Sequence, residues 1–366
     1  RRRHTRYWRD WSSDVCSSDL FVSNARTFSS QRGSTWVPST VVSTEDLVVL
    51  EDIVHPRGSD NAWEVHKFGG ASLATAELYK QVGDLLISEA SGRGDGSGAV
   101  PTMAIVSARG GMTDLLVKVV DSALLDFEEA KKVLTEAVEG QIELLRDLAP
   151  PEITESIEAN IRNDANDILL LVQSLRMINT VPSVTMEVVS GYGEIWSAQT
   201  LNSYLQTKGV PCEWINSLQV LMVKSDSSGL GEKGAASTGG VLPLWGETSI
   251  RLKNWWNTVG LETGMLDCDY KSGHSPIVVV TGFVASTIDG VPTTLKRSGS
   301  DYSATIFAKL LGASRVTMWK NTDGVYTADP RRVPEAFSID SLKYDEALEL
   351  AYFGAQVLRE LSMCVH

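Results

Sequence analysis

Long hydrophobic runs are missing from this 366-residue chain. Its most apolar stretches, ILLLV at 168–172 and IVVV at 277–280, fall far short of the ~20 residues that a membrane-spanning helix needs. Cysteine is scarce, with Cys16, Cys212, Cys268 and Cys364 scattered and no CxxC pair, so neither a zinc site nor a disulfide framework is indicated. The five histidines show no HExxH or paired spacing. Positive charge is also in deficit: 33 Lys and Arg face 46 Asp and Glu, a net charge of -13. No basic stripe is available to neutralise a nucleic acid, although local cationic sites for phosphate are compatible with that balance. No GxxxxGK[ST] occurs, which excludes a P-loop NTPase. The run Gly229–Gly234 matches GxGxxG, but no helical pattern follows it, so it reads as a loop. What remains, 43% hydrophobic and 22% charged residues, suits a soluble globular enzyme of one large α/β domain or two modest ones, with no membrane partner.

The two ends stand apart from the rest. Residues 1–20 include RDWSSDVCSSDL, which resembles the translation of a sequencing-library adapter, and are excluded from fold reasoning. Residues 21–60 begin with a Ser/Thr-rich stretch that carries Arg26 and Arg32 and no acid before Glu45; this fits either the tail of a transit peptide or a linker. Plastid and cytoplasm both stay open as locations. The folded unit is expected over 61–366.

Within that unit one arrangement recurs: strand, glycine-rich turn, helix. AWEVHKF turns at Gly69-Gly70 into ASLATAELYKQVGDLLIS, and TMAIVSA turns at Gly110-Gly111 into MTDLLVKVVDSALL. VTMEVVS reads as a strand that turns through Gly191-Tyr192-Gly193 into the helix EIWSAQTLNSYLQTKG. A helical span is expected from Phe127 to Ile178, a strand at VTMWK, and a last helix in SLKYDEALELAYFGAQVL. Repetition of this unit predicts an α/β fold with a mainly parallel sheet covered by helices on both faces. Ligands then gather at the carboxyl ends of the strands.

The richest segment is Lys296-Arg297-Ser298-Gly299-Ser300-Asp301, which leads into the helix ATIFAKLLGA. Free backbone N–H groups at such a helix start favour an anion. Arg297 offers a cation for a carboxylate or phosphate, and Asp301 an acid to orient it. Lys67, ahead of Gly69, Gly70 and Ser72, sits where an ammonium could hold β- and γ-phosphates. Ser107 and Thr113 flank the second glycine turn, where Thr113 could equally serve as a cap. Glu194 suits a substrate ammonium or simply the helix dipole. In WKNTDGVYTADPR, Tyr326 could border an adenine and Arg331 could meet phosphate, or the segment could be a plain hairpin.

Taken in order, KFGGAS, VSARGGMTDLL, SGYGEIWSA, TTLKRSGSDYSAT and DGVYTADPRRV resemble the aspartate kinases of the amino-acid kinase superfamily. The likeness is nearest to the kinase half of plant and algal bifunctional aspartate kinase–homoserine dehydrogenases and covers Trp63 to Leu358. It implies a three-layer α/β/α sandwich and ATP- and Mg²⁺-dependent phosphorylation of the L-aspartate side-chain carboxylate. By the resemblance, Lys67 stabilises the transferring phosphoryl group, with Asp301 organising it. Thr113, Glu194, Arg297 and Ser300 contact aspartate, Glu194 at its α-amino group and Arg297 at its α-carboxylate. Lys67, Gly69, Gly70, Ser72, Asp323, Tyr326 and Arg331 serve the nucleotide. Mg²⁺ is expected on the phosphates and water, without a protein cage, and the full-length enzyme is expected to be a homo-oligomer.

The pattern has departures: Ala71 after the glycines, Lys320-Asn321 before Thr322-Asp323, and Gln356 where a cation is expected near the phosphates. The kinase domain is expected to be truncated at its C-terminal end, before any regulatory or dehydrogenase domain. A catalytically silent module of the same fold, or a sister amino-acid kinase, is the alternative reading.

Overall fold

The structure, a computed structural model, describes residues 54–57, 61–92, 98–225, 241–264, 266–267, 273–296, 298–320, 324–343, 346–347 and 349–350. The adapter-like start, the GxGxxG run, Arg297, Asp323 and Gln356 therefore lie outside the described residues. Along the chain, β1 (Glu64–Phe68) passes through a 3-10 turn (Gly70–Leu73) to α1 (Ala76–Ala90), β2 (Thr102–Val106) and α2 (Met112–Ser122). Three long helices follow: α3 (Phe127–Leu148), α4 (Pro151–Ile178) and α5 (Ser183–Thr207). Next come β3 (Cys212–Ile215), α6 (Ser217–Val220), β4 (Met222–Ser225), β5 (Val241–Pro243) and α7 (Trp245–Trp255). The described chain then runs through β6 (Ile277–Thr281), β7 (Val284–Thr287), β8 (Pro292–Thr294), α8 (Gly299–Leu310) and β9 (Arg315–Trp319).

Five strands form a wholly parallel sheet in the order β3-β6-β2-β1-β9. Its inner strands β1, β2 and β6 are buried along their whole length, as expected of a sheet covered on both faces. Alternation along the strands sends Val65, Met103, Ile105, Val278 and Val280 into a core shared with α7 and α8. Phe68, Ala104, Val106 and Val279 face the other way, against α1 and α5. The result is the expected three-layer sandwich. VVVTGFVASTIDGVPTTL reads as hairpin-like, and β7 and β8 within it do form a hairpin that delivers the chain to α8; that this hairpin joins β4 and β5 in a second, mixed sheet, β5-β4-β7-β8, went unforeseen. A third apolar cluster joins α2 to α5. Among the described residues, no helix is long and apolar enough to cross a membrane.

Two expectations need correcting. VTMEVVS is not a strand, and Gly191-Tyr192-Gly193 is not a turn: both belong to the single helix α5. The glycines serve close packing instead. A Cβ at Gly191 would lie 2.7 Å from Val284 Cγ1, and one at Gly193 would lie 2.8 Å from Ala108 Cβ. Glycine is therefore what lets α5 sit against β7 and the β2–α2 turn together, at an intrinsic helix penalty of ~1 kcal/mol each. The described fold also reaches back before residue 61: Val54 is buried, and its carbonyl accepts a 2.7 Å hydrogen bond from Trp63 Nε1.

Candidate active site

The parallel register brings the candidate residues together. Lys67 is the penultimate residue of β1, and Phe68 aligns with Trp319, so Lys320 emerges beside it from the end of β9. Asp301, in the first turn of α8, receives both: Lys67 Nζ lies 2.7 Å from Oδ1 and Lys320 Nζ 2.8 Å from Oδ2. Burial works to raise the Asp301 carboxyl, but the two ammonium groups outweigh it and hold it below the ordinary carboxylate range. Burial also pulls Lys67 below its ordinary value, and Lys320 adds to that while Asp301 opposes it. The result is a rigid cation–anion–cation row at the carboxyl edge of the sheet.

The row lies against a cavity of about 610 Å³. Gly70 and Ala71 form one wall, Ser107 to Gly111 with Thr113 another, and Ser298, Gly299 and Ser300 a third. Two helix starts open onto this space, α2 capped by Gly111 and α8 capped by Ser298, both caps in the left-handed conformation. Backbone carbonyls already take up the N–H groups of Met112, Gly299 and Asp301, so what suits this space to an anion is chiefly the positive end of the two helices together with Lys67, Arg109 and Lys296 on its lining. Ser107 Oγ donates to Ser300 Oγ at 3.1 Å, tying two of the walls together.

Glu194 is the exception in this cationic setting. It projects from the middle of α5 onto the cavity wall, is buried, and its Oε2 has no hydrogen-bond partner. Burial pushes its carboxyl up to about 8, against the Ala108 backbone hydrogen bond and the Lys67 charge. The Lys67 charge alone does not offset the burial, so the carboxyl keeps its proton near neutrality until further positive charge arrives. A ligand ammonium would supply it.

The expected residues are thus only partly gathered. Lys67, Gly70, Thr113, Glu194, Ser300 and Asp301 line the cavity. Gly69 adjoins the Lys67 ammonium, since a Cβ there would lie 3.7 Å from Nζ, and Ser72 is half-buried in the 3-10 turn. Tyr326 pairs across a short bridge with Ser338, and the exposed Arg331 is bound within its own turn by Asp329, Nε to Oδ1 at 3.1 Å. Neither lines the cavity. Sequence reasoning treated Lys320 as a doubtful departure, whereas the structure makes it the second partner of Asp301. Its position at the end of a strand flanking β1 is the signal that could have found it. Lys296 was passed over as well; it lines the cavity and is ion-paired to Glu187.

Among the described residues three carboxylates line the cavity, Asp114, Glu194 and Asp301; Asp301 is committed to two lysines and Glu194 is buried within α5, which leaves no cage of carboxylates for a divalent cation. This fits Mg²⁺ carried on nucleotide phosphates and water. One trio elsewhere has metal-like spacing among the described residues: Glu64, His66 and Glu89. Trp319 Nε1 donates to His66 Nδ1 at 3.1 Å, so the neutral ring carries its proton on Nε2, the nitrogen that faces Glu64 at 3.8 Å. A protonated nitrogen is not a ligand.

Comparison with known proteins gives a consistent picture. The model of the amino acid kinase family matches residues 62–363. The chain is 33% identical over 317 residues to a chloroplastic bifunctional aspartokinase/homoserine dehydrogenase 1 of Zea mays, covering 87% of this chain and 30% of that protein. It is 31% identical to the lysine-sensitive aspartokinase 3 of Escherichia coli, covering 82% of this chain and 58% of that protein. A crystal structure of E. coli aspartokinase III in complex with aspartate and ADP superposes with a TM-score of 0.64 at 26% identity, over 82% of this chain and 59% of that one. The chain thus spans under a third of the length of the plant relative and under two thirds of the bacterial one.

Proposed function

The chain belongs to the amino acid kinase family, and on that premise we propose that it is an aspartate kinase, transferring the γ-phosphoryl group of Mg²⁺-ATP to the side-chain carboxylate of L-aspartate to give 4-phospho-L-aspartate. The observation that carries this reading is the buried, unpaired carboxylate of Glu194 in a cavity otherwise built for anions. A substrate with two carboxylates and one ammonium answers both features at once.

The chemistry asks little of the protein beyond placement. The attacking carboxylate is already ionised at neutral pH, so no general base is needed. The obstacle is repulsion between two anions, and positioning with charge neutralisation removes it. Lys67, which lines the cavity beside Gly70 and the start of α8, meets the transferring phosphoryl oxygens. Asp301 holds the Lys67 ammonium charged and aimed, and Lys320 shares the same anchor. Glu194 takes the aspartate α-ammonium, Thr113 and Ser300 contact the substrate, and Arg297 grips its α-carboxylate. Mg²⁺ offsets charge on the nucleotide phosphates when bound. Gly69, Ser72, Asp323, Tyr326 and Arg331 are assigned to the nucleotide on the resemblance. We place the protein in a plastid, following its chloroplastic relatives, and the full-length enzyme as a homo-oligomer.

The test is ADP release from Mg²⁺-ATP with and without L-aspartate, with Lys67→Ala alongside. Aspartate-dependent turnover that the variant loses supports the assignment. Turnover that ignores aspartate, or that survives in the variant, refutes it.

A further inference from the structure

Helix α5 walls a second cavity with a different face. Val188, Gly191, Ile195 and Gln199 line about 360 Å³ of space that is closed on the far side by α4, by Trp214 of β3 and by the β7–β8 hairpin. Its chemistry is the inverse of the reaction cavity. Among the described residues no lysine or arginine lines it, whereas two carboxylates do, Asp164 and Glu187, together with Asn160, Asn163 and Asn216.

The two acids are not equivalent. Glu187 is already satisfied: it accepts from Thr293 Oγ1 at 2.8 Å and from the Thr294 N–H at 3.2 Å, and it is ion-paired to Lys296. Burial opposes its ionisation, yet these donors hold it below the ordinary carboxylate range. Asp164 has only the Trp196 Nε1 donor, at 2.8 Å, and no cation. Burial pushes its carboxyl up to about 6, helped by the neighbouring charge of Asp167. Beside it, Gln199 is 8% exposed and its Oε1 has no partner. A buried amide oxygen left unpaired is destabilising, so the cavity favours a hydrogen-bond donor. The rings of Tyr192 and Trp214 also line the space, and aromatic faces favour a cation.

We propose that this cavity is a second binding site, for a small organic cation bearing a primary ammonium, with Asp164 and the Gln199 amide oxygen as its acceptors and the Tyr192 and Trp214 rings as its apolar wall. At about 360 Å³ the cavity lies at the low end of the range for small-molecule sites and has room for an ammonium with a compact organic body. The two lining carboxylates disfavour a carboxylate or phosphate ligand, so the substrates proposed for the reaction cavity are expected to be weak competitors. Glu187 connects this wall to Lys296, which lines the reaction cavity, so both sites share one helix and one ion pair.

The test is ligand-observed NMR on the chain without ATP or aspartate, using n-butylammonium as probe, with n-butanol and butyrate as neutral and anionic counterparts. Repeating the titration with Glu194→Gln, which should leave butylammonium binding in place, separates this site from the ammonium acceptor proposed in the reaction cavity and makes the result independent of the activity reading. Butylammonium is expected to bind and the other two to be at least tenfold weaker. Asp164→Asn and Gln199→Leu should each weaken butylammonium about tenfold, while Lys67→Ala leaves it unchanged. Far-UV dichroism and melting of each variant confirm that it is folded. No butylammonium binding to the folded chain, equal binding of butanol or butyrate, or full binding by both cavity variants would overturn the proposal and leave a water-filled void.

Discussion

Replacing Glu194 by glutamine should stabilise the empty chain, and should do so more strongly as pH rises. The carboxyl is buried and pushed up to about 8 from an ordinary value of 4.5. Between those two values the folded chain holds a proton that the unfolded chain has released. Stability therefore falls as pH climbs through that window. With ~1.4 kcal/mol per unit of difference, the loss is about 1 kcal/mol near pH 5, about 3 near pH 7, and approaches about 5 above the folded value. Glutamine keeps the shape and can still accept the Ala108 backbone hydrogen bond, but it carries no proton to lose. Urea unfolding of wild type and Glu194→Gln at pH 5, 6, 7 and 8 reads the difference directly. The two curves should nearly coincide at the acid end and diverge by about 3 kcal/mol at neutrality. A variant that is destabilised throughout, or offset by a constant amount, would refute the claim that an uncompensated carboxylate sits there. The same linkage has a ligand form: an ammonium bound at Glu194 should drive its proton off, so aspartate binding near pH 7 should release close to one proton. Calorimetry in two buffers of different ionisation enthalpy measures that number.

Other outcomes follow from the lysine row and the packing of α5. Lys320→Ala should lower kcat by roughly 10–100-fold with little change in folding, because Asp301 keeps Lys67 as its partner; unchanged kcat would remove Lys320 from the site. Asp301→Asn leaves two close ammonium groups without their counter-charge, and should destabilise the fold by about 3 kcal/mol and raise the lysine dependence on salt; a melt within a degree of wild type would contradict the row. Gly193→Ala should destabilise by about 1–3 kcal/mol, since its Cβ would meet Ala108 and Met112 at 2.8 and 3.0 Å. A neutral or stabilising result in denaturant unfolding would mean that α5 is free to shift.

The sandwich was legible because its inner strands are continuous apolar runs and its glycine turns mark strand ends. The mixed sheet was not, since β5 and β8 have three residues each and carry little pattern. Helix α5 was misread for a physical reason: VTMEVVS is β-branched, and Gly191 and Gly193 look like a turn unless the neighbours that demand glycine are known. That error hid the role of α5 as one rod forming walls of two cavities. Glu194 was singled out by its motif, but its burial and unpaired oxygen were not visible in sequence. Lys320 looked like a fault because its partner is Asp301, nineteen residues earlier in the chain, and only the β1–β9 register puts both lysines at one carboxylate.

The most direct test is trapping of the acyl phosphate. The chain, Mg²⁺-ATP and L-aspartate are incubated with hydroxylamine, and the product is resolved as the β-hydroxamate of aspartate. Wild type should form it in step with ADP, and Lys67→Ala should not. ADP release with no hydroxamate, or hydroxamate formed equally by the variant, would contradict phosphoryl transfer to the aspartate side chain at this site.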